Sequence, residues 1–68
     1  MPRMSNRPAF QRRHYVAVAA LLADARKAAG ADLFAQTFVN DLAVAFTDLF
    51  RRDNGRFRPD RFDRATRT

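Results

Sequence analysis

The chain has 68 residues, a formal charge of +6, no cysteine and one histidine. That length holds one small domain with a limited core. The missing cysteines remove disulfides and thiolate metal sites, and one histidine falls short of the several nitrogen or sulfur ligands of a zinc centre.

From Pro8 to Ala29 the apolar spacing predicts a helix. At 100° per residue, Phe10, His14, Tyr15, Val18, Leu21, Leu22 and Ala25 fall within a sector of about 140°. Arg12, Arg13, Asp24 and Lys27 fall opposite, and Val16 is the one sizeable apolar residue off the stripe. Ser5 or Asn6 suits the cap, Pro8 the first turn, and Gly30 the C-terminal stop.

Asp32 is placed to cap a second helix over 33–52, whose stripe is Phe38, Val39, Leu42, Phe46, Leu49 and Phe50. Arg51 and Arg52 suit its last turn, where positive charge meets the negative end of the helix dipole. Asn54-Gly55 is a helix stop rather than a hairpin turn, because no alternating strand flanks it. With about three residues between them, the two helices must fold back antiparallel. Leu33, Phe34 and Val44 lie off the main stripe. Either Leu33 and Phe34 cover the turn and Val44 is an ordinary exposed apolar residue, or the three belong to a second apolar patch that meets a partner.

Pro59 fits a first helical position, so 59–66 is predicted as a short third helix docked through Phe57 and Phe62. Asp60 precedes Arg64 by four residues and Asp63 precedes Arg67 by four, each pair worth about 0.2–0.5 kcal/mol. The expected fold is all-α: an antiparallel helical hairpin (8–29 and 33–52) plus a third helix (59–66). Residues 1–68 form a single domain, with 1–5 and 66–68 frayed. Its expected core is Phe10, Val18, Leu21, Leu22, Phe38, Leu42, Phe46, Leu49, Phe50, Phe57 and Phe62.

Catalytic chemistry has little to use. The one serine, Ser5, sits in the leading tail, away from any base and orienting group. Gly30 and Gly55 do not make a phosphate-cradling loop, and the carboxylates lie on polar faces and helix ends. His14, amid the first apolar stripe, reads as a half-buried histidine satisfied by a backbone carbonyl or a side chain across the hairpin; the alternative is a partner-contacting group. A non-enzyme without cofactor or metal is expected. "RRHYVAVAALLADA" resembles a secretory signal, but Asp24 interrupts it and the apolar run is far too short to span a bilayer. A cytoplasmic protein without membrane contact is expected.

The charge is uneven: residues 1–13 carry +4, 14–50 carry −2 and 51–68 carry +4. Basic ends suit an acidic partner, either a protein surface or nucleic acid. Twelve of the thirteen basic residues are arginine, which favours bidentate contacts with carboxylate or phosphate, although a GC-rich genome produces the same bias. Arg56, Arg58 and Arg61 lack an evident local partner, whereas Arg64 has Asp60. These three are the leading candidates for partner binding, with Arg12 and Arg13 second. Neither helix has the dense basic face of a DNA-reading element. Without disulfide or metal, stability rests on helix packing or a partner chain, so a homo-oligomer stays open.

"HYVAVAALL" (14–22) and "LAVAFTDLFRRDNGRFRPDRF" (42–62) resemble short helical proteins encoded by tailed phages and prophages. The pattern is His-Tyr before a helix, then Leu-Ala-x-x-Phe, then Asp-Asn-Pro-Arg-Phe-x-x-x-Arg-Phe. It is met by His14, Tyr15, Leu42, Ala43, Phe46, Asp53, Asn54, Arg56, Phe57, Arg61 and Phe62. Gly55 replaces the usual proline, and the ending "DRATRT" departs from the apolar continuation of relatives. The resemblance implies a compact helical fold and a phage or mobile-element setting, and no activity. The expected function is a small binding protein that docks on a host protein or nucleoprotein complex and modulates it, for example by inhibiting host defence. The alternatives are a weakly specific nucleic-acid binder and a self-assembling structural protein.

Overall fold

The computed structural model describes residues 9–67. It contains α1 (Arg12–Ala29), α2 (Leu33–Asp53) and α3 (Pro59–Ala65), with no strand among the described residues. α1 and α2 form the hairpin, and α3 packs against both.

α1 begins four residues later than the periodicity suggests. Gln11 is extended (φ −117°, ψ 171°) and its N–H donates to His14 Nδ1 at 2.8 Å. The Gln11 carbonyl accepts from the N–H groups of His14 (2.8 Å) and Tyr15 (3.2 Å), so Gln11 and His14 together form the cap of α1. Ser5, Asn6 and Pro8 lie outside the described residues, as do 1–5 and Thr68. Phe10 is therefore not a helical residue: it precedes the cap and folds its ring onto Phe50, 5.1 Å between centroids.

The turn follows expectation. Gly30 adopts φ +56°, the left-handed region in which glycine has no Cβ penalty. Asp32 Oδ1 accepts from the N–H groups of Phe34 (3.0 Å) and Ala35 (3.2 Å). The Gln36 side-chain amide donates to the Gly30 carbonyl. α2 stops at Asn54 (φ −144°), whose N–H still donates to the Phe50 carbonyl at 2.9 Å. Asn54 then builds the bend: its Oδ1 accepts from Arg56 N at 2.9 Å and its carbonyl from Phe57 N at 3.0 Å.

The core is centred on Phe50, which is fully buried. Its ring meets Phe10, Tyr15, Phe46, Phe57 and Phe62 at 4.7–5.8 Å, mostly edge-on or tilted, as the ring quadrupole favours. Leu22, Phe57 and Phe62 are buried as expected, and Phe10, Val18 and Phe46 are half-buried against them. Four expected core residues are not: Leu21, Phe38, Leu42 and Leu49 are exposed. Their places are taken by Ala19, Ala23, Val39 and Ala43. The cause is α3, which packs along one side of the hairpin and turns the buried line of each helix toward itself. Small residues there allow three backbones to approach closely. Leu33 and Phe34 do not cover the turn, and Val44 is exposed.

The end of α3 is anchored. Thr66, expected to fray, is fully buried. Its N–H donates to the Phe62 carbonyl (3.0 Å), its hydroxyl to the Asp63 carbonyl (2.7 Å), and its carbonyl accepts from Arg26 Nε (3.0 Å).

Candidate functional site

Four of the five arginines singled out above meet at one place. The first turns of α1, the α2–α3 connection and α3 enclose an open hollow of about 350 Å³. Tyr15, Val16, Ala19, Phe57, Phe62 and Ala65 form its mainly apolar lining, and Arg12, Arg56, Arg58 and Arg61 its rim. Each arginine is placed by a local cause. Arg12 is the first residue of α1, set by the Gln11–His14 cap. Arg56 follows the Asn54 bend, Arg58 caps α3 through its extended backbone, and Arg61 lies in the first turn of α3. Arg13 is exposed and does not line the hollow, because one step along a helix turns the side chain by 100°.

Among the described residues, Arg12, Arg56 and Arg61 have no ion-pair partner. Arg58 does have one: its Nη2 lies 3.4 Å from Asp60 Oδ2, so Asp60 turns to Arg58 and not to Arg64. Both side chains are well exposed, and such a pair holds little energy that a competing carboxylate would have to overcome. The Asp60 carboxyl is nevertheless held below its ordinary 3.8. Desolvation acts to raise it and is outweighed by the Arg61 N–H, the charge and hydrogen bond of Arg58, and its own backbone N–H. The Asp63–Arg67 pair forms as the spacing predicts, at 3.2 Å.

Phe57 and Phe62 carry the hollow's floor but offer little free ring surface. They pack against each other (5.6 Å) and against Phe50, and Phe57 also against Tyr15 (4.8 Å). Tyr15 is positioned by two weak hydrogen bonds: it accepts from Asn54 Nδ2 at 3.3 Å and donates to the Phe10 carbonyl at 3.4 Å.

No family model, no curated protein and no solved structure matches the chain. The hollow therefore stands on its own chemistry, which is four guanidinium groups around an apolar depression. Val16 is the lining residue that periodicity hinted at, since it was apolar yet off the core stripe; it is exposed on the hollow's wall. Tyr15, Ala19 and Ala65 gave no such signal. His14 contacts neither a backbone carbonyl nor a side chain across the hairpin. It serves the cap of its own helix and meets Phe10 edge-on at 6.0 Å. No described helix is long and apolar enough to cross a membrane, and no described cluster of three His, Cys, Asp or Glu residues could hold a metal ion.

Proposed function

We infer that this chain is a small non-enzymatic binding protein that docks, through Arg12, Arg56, Arg58 and Arg61, on an acidic surface of a protein or nucleoprotein complex. The observation that carries this is the convergence of those four arginines on one apolar hollow. Arginine forks suit carboxylates bidentately, and the depression beneath them accepts one bulky apolar side chain, the usual anchor of a peptide site. In the wider reading the partner is a cytoplasmic host component, the chain is phage- or mobile-element-encoded, and docking modulates or inhibits the partner, as a host-defence inhibitor does.

Direct nucleic-acid binding would use the same rim. Base stacking needs exposed ring faces, and the burial of Phe57 and Phe62 counts against it. Fluorescence anisotropy separates the two readings. The ligands are acidic peptides bearing a central leucine or phenylalanine, the same peptides with alanine there, and single- and double-stranded oligonucleotides. The expected result is binding of the apolar-centred peptide, loss of tenfold or more in Arg56→Glu/Arg61→Glu, and no oligonucleotide binding near 50 mM salt, a low-salt condition. Oligonucleotide binding that falls steeply with salt, with the peptides inert, would replace this proposal by the nucleic-acid one.

A further inference from the structure

The side of the hairpin away from α3 carries an apolar face that the single chain leaves in water along α2 and at Leu21 of α1. On α2, Phe38, Leu42, Ala45 and Leu49 follow a 4-3-4 spacing and lie within about 60° of one another, roughly 110° round the helix from the buried Val39, Ala43 and Phe50. On α1, His14, Val18, Leu21 and Ala25 repeat the 4-3-4 spacing within a similar sector; of these Leu21 is exposed, Val18 and Ala25 are half-buried against the core, and His14 is half-buried at the helix cap. Arg12, Val16 and Ala19, which face α3 across the hollow, lie roughly opposite that line. Phe38 is 65% exposed, Leu21 68% and the adjoining Phe34 90%.

We propose that this face is the interface of a two-fold homodimer, in which two hairpins pack into an antiparallel four-helix bundle. Three observations select a second copy as the occupant. The first is spacing: 4-3-4 lines on two adjacent helices are what a helical partner with the same lines fits. The second is register. Arg26 bonds Asn40 and Tyr15 packs on Phe50, so Leu21 stands level with the stretch between Leu42 and Ala45. A two-fold axis crossing the face at that level sets Leu21 beside Leu21 of the other copy and Phe38 beside its Leu49, and isologous contact follows without adjustment. The third is area. Leu21, Phe34, Phe38, Leu42 and Leu49 leave on the order of 500 Å² of apolar surface per copy, toward the upper end of the roughly 300–600 Å² of the largest patch on a typical monomer, a size that is often functional. Doubled and extended by the alanines and the polar rim, this reaches the ~1,200–2,000 Å² of a stable interface. The chain's own buried set, rich in alanine and without disulfides, is the small core that such association supports.

The dimer leaves the arginine hollow free, because that lies on the α3 side of each hairpin. The inference therefore does not depend on the proposed function. Sedimentation velocity of the full chain from low to high micromolar tests it, with circular dichroism to follow the fold. The expected result is twice the chain mass, a loss of roughly 30-fold or more in dimer affinity for Leu21→Glu or Phe38→Glu, and unchanged helix content, since both side chains are exposed in the single chain. Val16→Glu, on the hollow side, should leave the dimer intact. In a chain without native cysteine, Leu21→Cys should give near-complete disulfide dimer under mild oxidation, whereas Val16→Cys should not. A folded monomer at every concentration, open-ended assembly, or equal crosslinking of both variants would overturn the inference.

Discussion

Arg26 Nε donates to the carbonyl of Thr66 at 3.0 Å, joining the last turn of α1 to the end of α3. The same guanidinium donates through Nη1 to Asn40 Oδ1 on α2, so one side chain ties three helices. Hydrogen bonds from a charged donor are worth more than neutral ones, but this site is only partly buried. Arg26→Ala should cost about 1–2 kcal/mol. Arg26→Lys should recover less than half of that, because an ammonium lacks the fork that reaches both acceptors. Urea unfolding of the three proteins measures it, and equal midpoints would show that the link is idle.

Phe50 is the residue on which the fold depends most. Phe→Ala at a buried site costs about 3–5 kcal/mol, and a core of this size supplies little more than about 3–5 kcal/mol in all. Phe50→Ala should therefore be unfolded at 25 °C by circular dichroism. Phe50→Leu, closer in volume, should remain folded with a lowered melting temperature. A folded alanine variant would mean that the surrounding rings can close the cavity.

Asp53 accepts the backbone N–H groups of Ala9 (2.8 Å) and Phe10 (3.0 Å), pinning the segment before α1 to the end of α2. A carboxylate there opposes the helix dipole, so its place must rest on those two amides. Asp53→Ala should cost about 1–2 kcal/mol. Amide exchange at residues 9 and 10 should quicken while the amides at the centre of α2 keep their protection. If all amides quicken together, the segment is not a separable unit.

Because Asp60 has a depressed folded-state pKa, the pairing with Arg58 is present above about pH 4 and is lost as pH falls through the folded value. A carboxyl-detected NMR titration should place Asp60 below 3.8. Arg58→Gln should move the midpoint upward, with the remaining depression set by the Arg61 amide. A midpoint that ignores Arg58→Gln would assign the shift to the backbone alone.

His14 occupies the third helical position, where glutamate or glutamine normally completes a cap. His14→Ala should cost about 1 kcal/mol. His14→Glu should hold wild-type stability or exceed it, since an anion suits the start of α1. Thermal melts decide between this and a role in partner contact, for which glutamate would be no substitute.

The helices were legible because their inner signals are local: Gly30, Asp32 and Pro59 each act within a residue or two of an end. The start of α1 was not, because its cap is a histidine outside the usual capping set and because Phe10 continues the apolar spacing while belonging to the turn before it. The core direction failed for a different reason. A wheel drawn for one helix points to its largest side chains, Leu21, Phe38 and Leu49, whereas α3 selects the small line Ala19, Ala23 and Ala43, about 120–160° round the helix. Arg56 and Arg61 were readable from missing partners, whereas Arg58, chosen on the same ground, pairs with Asp60. Their convergence with Arg12 was not readable, because that depends on α3 lying beside the first turns of α1.

Tyr15 is the one tyrosine of a chain without tryptophan, and it stands where all the segments meet. Its ring lies 4.7 Å from Phe50 and 4.8 Å from Phe57, and its hydroxyl lies between Asn54 and the Phe10 carbonyl. The protein thus carries its own optical probe. Its emission comes from a single fluorophore, placed so that parting of the hairpin, release of the leading segment or arrival of a ligand in the hollow changes its surroundings without any label.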